Sequence, residues 1–229
     1  MASALLEQRG GLGYNTRIME QLLIATQNRH KAEEIAELLA AMPLCVITLA
    51  DGYPDVDLPE TGDTFMANAR QKALAAASLT GMLTLADDSG LAIDALGGEP
   101  GVHSKRFAPT DGERIARVLA LLQNIPEARR TARFHCAVVI ARPGEVLAEI
   151  EETAEGRIIH APRGARGFGY DPIFQPDGSQ RTLAEFDLEE KNAISHRGKA
   201  FRKAAAWLQA MRPSFCLNAD LSEGEGHHA

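Results

Sequence analysis

Leu22-Leu23-Ile24-Ala25-Thr26-Gln27-Asn28-Arg29-His30-Lys31 sets the terms for the rest of the chain. Residues 22–26 form a short apolar run of the length of a buried strand, and Asn28 then offers a side-chain oxygen to the first N–H groups of a helix. From there to about Ala41, Ile35, Leu38, Leu39 and Met42 recur at helical spacing, with Glu33, Glu34 and Glu37 as the polar positions between them. That pattern predicts an amphipathic helix packed on a sheet. A strand that turns directly into a helix also makes an anion site, because the free N–H groups of the first turn carry partial positive charge. Lys31 adds a full charge, and Thr26 and Asn28 add hydrogen-bonding side chains. The glycine spacing and Lys-Ser/Thr pair of a Walker A loop are absent. On its own, the segment reads first as a capped amphipathic helix with an exposed lysine.

Outward from this unit, Leu44 to Leu49 predicts the next strand, and residues 51–63, with their prolines, glycines and acids, predict an exposed connection. An alanine-rich helix is expected from Thr64 to about Leu79, stopped by Gly81. The apolar strand Leu83-Thr84-Leu85-Ala86 follows, which puts Asp87 and Asp88 at its end. A loop holding Gly97, Gly98, Pro100 and Gly101 leads to a helix from about Asp111 to Gln123, closed by Pro126. Phe134 to Ala141 and Val146 to Ile159 read as two β segments joined at Pro143-Gly144, and a final helix is expected from about Ile194 to Met211. Strands interleaved with helices, plus one antiparallel pair, predict an α/β protein with a mixed sheet flanked by helices. The later β pair is open to a second assignment, as part of a smaller lobe with a ligand cleft between.

The composition bounds what such a fold can do. The 229 residues are 45% hydrophobic and 24% charged, enough for one sizeable core or two small lobes. A net charge of -7 argues against a surface that coats a nucleic-acid polymer, while leaving room for a local basic pocket. The three cysteines, Cys45, Cys136 and Cys216, are far apart, and neither a disulfide framework nor a thiolate zinc site is indicated. Cys45 and Cys136 sit in apolar runs and are expected as buried thiols. No segment approaches the roughly 18 apolar residues of a membrane span, nor does the N-terminus have the apolar core of a secretory signal. A cytoplasmic protein is expected. Residues 1–17 and 213–229 read as flexible extensions around one domain at 18–212; His227 and His228 belong to a solvated tail.

Four further clusters carry chemical possibilities. In Ala86-Asp87-Asp88-Ser89-Gly90, extended backbone would send the neighbouring acids to opposite faces, so one could hold Mg²⁺ or polarise water while the other supports it. A simple strand-ending turn is the alternative. Gly167-Phe168-Gly169-Tyr170-Asp171-Pro172 combines backbone access with two rings able to stack on a planar base and a carboxylate able to accept from ring N–H groups; a turn packed by aromatics fits as well. Lys191-Asn192-Ala193-Ile194-Ser195-His196-Arg197 gathers basic side chains around the start of the last helix, with Ser195 as its cap, and reads either as a phosphate or purine-carbonyl contact or as a solvated basic face. Glu60-Thr61-Gly62 precedes Asn68 and Lys72, which share a helix face at i, i+4.

In their order and wording these segments resemble the inosine triphosphate pyrophosphatase family, over roughly residues 20–211. Gly97-Gly98-Glu99-Pro100-Gly101-Val102 and Ala132-Arg133-Phe134-His135-Cys136 extend the match. The resemblance implies an elongated α/β fold of two lobes with a central cleft, commonly a homodimer, that cleaves non-standard purine nucleoside triphosphates between the α and β phosphates with Mg²⁺. It implies Asp88 as the base for the attacking water and a metal ligand, with Glu60 as another. Thr26, Asn28, Lys31 and Lys72, within a cradle that includes Gln27, Arg29 and His30, would hold the phosphates. Ser89, Phe168, Gly169, Tyr170, Asp171, Lys191, His196 and Arg197 would form the nucleoside pocket. Where family members often carry acids just before the Asn-Ala pair, this chain has Met66-Ala67. Two other functions stay open: a pyrophosphatase for modified pyrimidine nucleotides, and a nucleotide-binding module without turnover.

Overall fold

The computed structural model describes residues 21–219, with side chains through residue 211. The expectations for residues 1–17, for the Cys216 side chain and for His227 and His228 lie outside that description. Six strands form one sheet in the order β2-β1-β3-β4-β5-β6. β1 (Gln21–Ile24) runs parallel to β2 (Cys45–Thr48) and to β3 (Leu83–Ile93), while β4 (Thr131–Arg142), β5 (Glu145–Ile158) and β6 (Phe174–Pro176) add antiparallel. The mixed sheet is as expected. The β4–β5 hairpin belongs to this sheet, and its far half supplies Ala132, Phe134 and Ile158 to the core of a second lobe.

Helix α1 (Arg29–Leu39) is started by Asn28, whose side chain accepts from the His30 and Lys31 N–H groups. A four-residue helix, α2 (Leu49–Gly52), follows β2. Helix α3 (Phe65–Thr80) is capped by Thr64 and closed by Gly81 in the left-handed conformation (φ 73°). Helix α1 and the last helix pack on one face of the sheet, where Ile35, Leu39, Phe201 and Leu208 meet Leu22, Ile24, Leu85 and Val138. The alanines of α3 lie flat against Leu23, Ala25, Ala86 and Val139 on the other face. Helix α4 (Asp111–Leu121) and the short 3₁₀ turns at 171–173 and 183–185 surround the second lobe's core.

Three expectations are corrected. The strand expected to stop before Asp87 continues through Asp87-Asp88-Ser89-Gly90 to Ile93, because β4 pairs with it along the whole stretch; tertiary pairing overrides the turn preference of Asp, Ser and Gly. The last helix, expected from about Ile194, starts at His196 as α6 (His196–Ala219) and is preceded by a further short helix, α5 (Leu188–Ile194), the two separated by an extended Ser195 whose hydroxyl accepts from the Gly198 N–H at 3.0 Å. Cys136 is buried, whereas Cys45 is only partly so because β2 is the sheet's edge.

The α5–α6 break brings two backbones together. A Cβ at Gly198 would stand 1.7 Å from the Asn192 carbonyl oxygen, whereas one at Gly112 in α4 would meet nothing within 4 Å. Gly198→Ala is therefore expected to destabilise by about 1–3 kcal/mol or more, the cost of forced overpacking. Gly112→Ala should instead stabilise by about 0.5–1 kcal/mol through the helix preference of alanine. Urea denaturation of both variants checks the pair, and equal effects would contradict this packing.

Candidate active site

β1 ends at Ile24, and its pairing with β3 ends at Leu85. Beyond that point the β1-side edge of β3 has no strand partner until the bridge from Ala92 to Pro100. A cleft of about 790 Å³ opens against this edge, between the two lobes. Its position, just past the carboxyl end of a parallel strand, is where open α/β sheets commonly bind ligands.

The pleat of β3 divides the two adjacent acids. Ala86 faces α3 and Leu85 faces α1 and α6, so Asp88 and Asp87 follow them to opposite sides. On the α3 side, Lys72 Nζ donates to Glu60 Oε1 at 2.8 Å and to Asp88 Oδ1 at 3.2 Å. Asn68 Nδ2 donates to Asp88 Oδ2 at 3.1 Å, and its own oxygen accepts the Gly62 N–H at 2.7 Å, tying the Glu60 loop to the helix. Burial alone would lower the Lys72 pKa, but Asp88, Asp87 and Glu60 together raise it, so the ammonium stays charged. Burial pushes the Glu60 carboxyl up, and the Lys72 charge and hydrogen bond more than reverse it.

On the opposite side Asp87 Oδ2 accepts from Lys31 Nζ at 2.8 Å and from the Ser89 hydroxyl at 2.7 Å, with Arg197 Nε 3.9 Å away. Burial disfavours the Asp87 charge, yet Lys31, Arg197 and Lys72 hold its pKa well below the ordinary carboxylate value. Arg197 also pairs with Glu34, and Glu34 accepts from Lys191 Nζ at 2.7 Å; Lys191 in turn reaches Asp171 at 2.6 Å. For Glu34, burial is again outweighed by Arg197 and Lys191, and the pKa falls; for Asp171, burial wins over Lys191, and the pKa rises. His196 lies buried, stacked on Phe134 with ring centroids 4.6 Å apart. Burial and the charges of Arg197 and Lys191 keep its imidazole neutral. His196 Nδ1 and Arg197 Nε are buried polar atoms with no hydrogen-bond partner.

Most of the expected residues meet in the cleft wall. Thr26, Gln27, Asn28, His30 and Lys31 line one end; Glu60, Lys72, Asp88 and Ser89 form the floor. Phe168, Gly169, Tyr170, Asp171, His196 and Arg197 line the other end. Phe168 stacks on His30 (centroids 5.6 Å) with Lys191 Nζ 4.9 Å from its ring centre. Two expected contacts lie outside the wall. Arg29 points to solvent from the first turn of α1, and Lys191 is buried between Glu34 and Asp171. Gln27 lines the cleft, but its amide tethers the 53–56 loop by donating to the Tyr53 and Val56 carbonyls at 3.0 and 2.9 Å. The Asn28 side-chain oxygen is committed to capping α1.

Sequence reasoning missed Glu34, which is 4% exposed, and the wall formed by Ser104, Lys105, Arg106, Asp111 and Arg114. Glu34 stands next to Ile35, at the margin of the α1 apolar stripe, and Lys31 one turn before it was the available signal. Nothing in the local pattern of residues 104–114 marks them. Among the described residues no three His, Cys, Asp or Glu side chains cluster as a metal site. Glu60 and Asp88, however, converge on one ammonium at the cleft floor. Two carboxylates facing a cleft suit Mg²⁺, which is commonly held by one or two protein carboxylates with substrate phosphates and water completing its shell.

A family model described as the Ham1 family matches residues 22–207. A dITP/XTP pyrophosphatase of Gloeobacter violaceus is 52% identical over 186 residues, covering 81% of this chain and 93% of the relative. One from Geobacillus kaustophilus is 49% identical, covering 81% and 92%. Among solved structures, a HAM1 protein from Coxiella burnetii superposes with a TM-score of 0.76 at 43% identity, covering 84% of this chain and all of that one. A nucleoside-triphosphatase / dITP/XTP pyrophosphatase from Mycobacterium abscessus gives 0.65 at 41% identity, covering 80% and 98%.

Removing Glu34 leaves two buried cations short of a partner. Glu34→Gln is expected to lower stability at neutral pH by about 3–5 kcal/mol, the usual cost of breaking a buried ion pair from one side. Because the folded-state pKa of Glu34 lies below its ordinary 4.5, its contribution is complete above that pH and is lost as pH falls through the folded value. The gap between wild type and Glu34→Gln should therefore narrow below about pH 4.5. Denaturation midpoints across pH 3–8 check this; a gap that does not narrow would contradict it.

Proposed function

The chain belongs to the Ham1 family, and from that premise we propose that it hydrolyses non-standard purine nucleoside triphosphates such as dITP, ITP and XTP to the monophosphate and pyrophosphate. The observation that carries this reading is the convergence of Asp88, Lys72 and Glu60 at the floor of a cleft whose far end presents an aromatic ring beside unpaired polar atoms. Phosphoanhydride hydrolysis asks for a positioned water, charge neutralisation and no covalent nucleophile, and this floor offers a carboxylate to orient the water and a lysine for the charge. Mg²⁺ held by Asp88 and Glu60 would neutralise phosphate charge when bound.

Asp88, held by Asn68 and Lys72, accepts a proton from water as the oxygen attacks the α phosphorus. The bond from that phosphorus to the α–β bridging oxygen breaks, and pyrophosphate leaves. Lys72 and Lys31 face the cleft from two sides and carry positive charge toward the phosphates. Asp87 keeps Lys31 and Arg197 in place from the opposite face of the strand. Arg197 lines the Phe168 end of the cleft, and its Nε, in an ion pair with Asp87 at 3.9 Å, makes no hydrogen bond. A C6 carbonyl can accept from it and the amino group of adenine cannot, a mismatch worth about 1–3 kcal/mol. This favours inosine and xanthosine over adenosine nucleotides.

We propose further that one domain at 18–212 carries the activity, and that the working form is a homodimer in the cytoplasm, as the family resemblance implies. No described helix is long and apolar enough to cross a membrane.

Pyrophosphate release from dITP, XTP, dATP, dGTP and a modified pyrimidine triphosphate, with and without Mg²⁺, tests the reading. Metal-dependent release favouring dITP and XTP, reduced about 100-fold or more in Asp88→Asn as expected for loss of a general base, supports it. Nucleotide binding without release from any of them would leave the binding module.

A further inference from the structure

Asp111 opens α4, yet its carboxylate is not needed to start that helix. Thr110 caps it, accepting the Glu113 N–H, and Glu113 returns the bond to Thr110, so the helix start is already satisfied. The Asp111 side chain is turned across the cleft instead. Oδ2 accepts the Gly169 N–H at 2.7 Å, and Oδ1 pairs with the Arg114 guanidinium, which also donates to the Lys105 carbonyl.

Gly169 belongs to the segment that carries Phe168. Its φ of +62° is left-handed, which directs its N–H toward Asp111 at little cost for glycine. The segment has two more pins. The Phe168 N–H donates to Asp171 Oδ2 at 2.9 Å, where Gly167 leaves no room for a side chain, since a Cβ there would stand 2.2 Å from that oxygen. The Tyr170 hydroxyl donates to the Ser104 carbonyl at 2.9 Å. Thus Phe168 is fixed on one side by Asp171 and on the other by Asp111 and Ser104, which belong to the 101–121 segment that brings Lys105 and Arg106 to the cleft wall. Of these pins, only Asp111 is a half-exposed carboxylate bonded to a backbone N–H adjacent to Phe168.

We infer that Asp111 is a positioning residue for base selection, holding the Phe168 ring against His30 and 5.3 Å from the Arg197 guanidinium, so that a purine beside the ring meets Arg197 through its C6 substituent. The inference rests on the reaction proposed above. It concerns where the base sits and leaves proton transfer to Asp88. Loss of the carboxylate frees the Gly169 N–H and lets the ring drift, so a base that fits and one that does not are bound more alike.

Steady-state kinetics of wild type, Asp111→Ala and Asp111→Asn on dITP, XTP and dATP, with thermal unfolding of each, test this. In Asp111→Ala, KM for dITP and XTP should rise roughly tenfold, the scale of one lost charge-assisted hydrogen bond. Its kcat should stay within about threefold, and the preference for dITP over dATP in kcat/KM should shrink. Asp111→Asn, whose amide oxygen can still accept the Gly169 N–H, should keep most of the preference. An unchanged preference in Asp111→Ala overturns the positioning role alone. So does a uniform loss on every substrate that tracks a lowered melting temperature, or an Asp111→Asn variant as unselective as the alanine. A wild type that turns over none of the substrates overturns the proposed reaction together with the inference.

Discussion

Asp87 and Asp88 are neighbours in an extended strand, so the pleat must send their carboxylates to opposite faces. Almost everything else in the site follows from that division. One face receives α3 and with it Lys72, Asn68 and the Glu60 loop; the other receives α1 and the α5–α6 break, with Lys31, Glu34, Lys191 and Arg197. Two buried acids side by side would repel if they shared a pocket, and a separate set of cations for each removes that problem. The division also sorts their roles. Asp88 lines the cleft, while Asp87 is buried behind it and organises Lys31, Ser89 and Arg197.

The site exists because β1 is short. Its pairing with β3 ends at Leu85, so the carboxylate-bearing part of β3 is held by β4 on one edge and open to the cleft on the other. Gly90 lets the 101–104 segment close over the strand just beyond, since a Cβ there would stand 2.5 Å from the Gly101 carbonyl oxygen and 2.6 Å from the Ser104 hydroxyl. The floor is thereby assembled from rigid elements, a strand and a helix, which suits groups that must meet a phosphorus and a water at fixed distances. The Phe168 end of the cleft is built from a glycine-bearing segment, pinned at Asp111, Ser104 and Asp171.

The elements legible from sequence were those with local causes. Asn28 and Gly81 announce the start of α1 and the end of α3, and the structure uses both as expected. The strand through Asp87-Asp88-Ser89-Gly90 was hidden because every one of those residues favours a turn, and pairing with β4 and neutralisation by three cations, Lys31, Lys72 and Arg197, keep the segment extended. Glu34 was missed for a related reason: a charge surrounded by helical pattern looks solvated until a distant partner is known, and its partner Lys191 lies 157 residues away. Residues 104–114 carry no spacing that marks a site, and they join it only through the closure of the 101–104 segment over β3.

The most direct test of the division between the two acids is a crystal structure with Mg²⁺ and a dITP analogue whose α–β bridging oxygen is replaced by an imido group. Expected is a cation on the Asp88 and Glu60 carboxylates, the base against Phe168, and Asp87 still on the α1 and α6 side of the strand. A cation bound to Asp87, or a nucleotide seated outside this cleft, would contradict it.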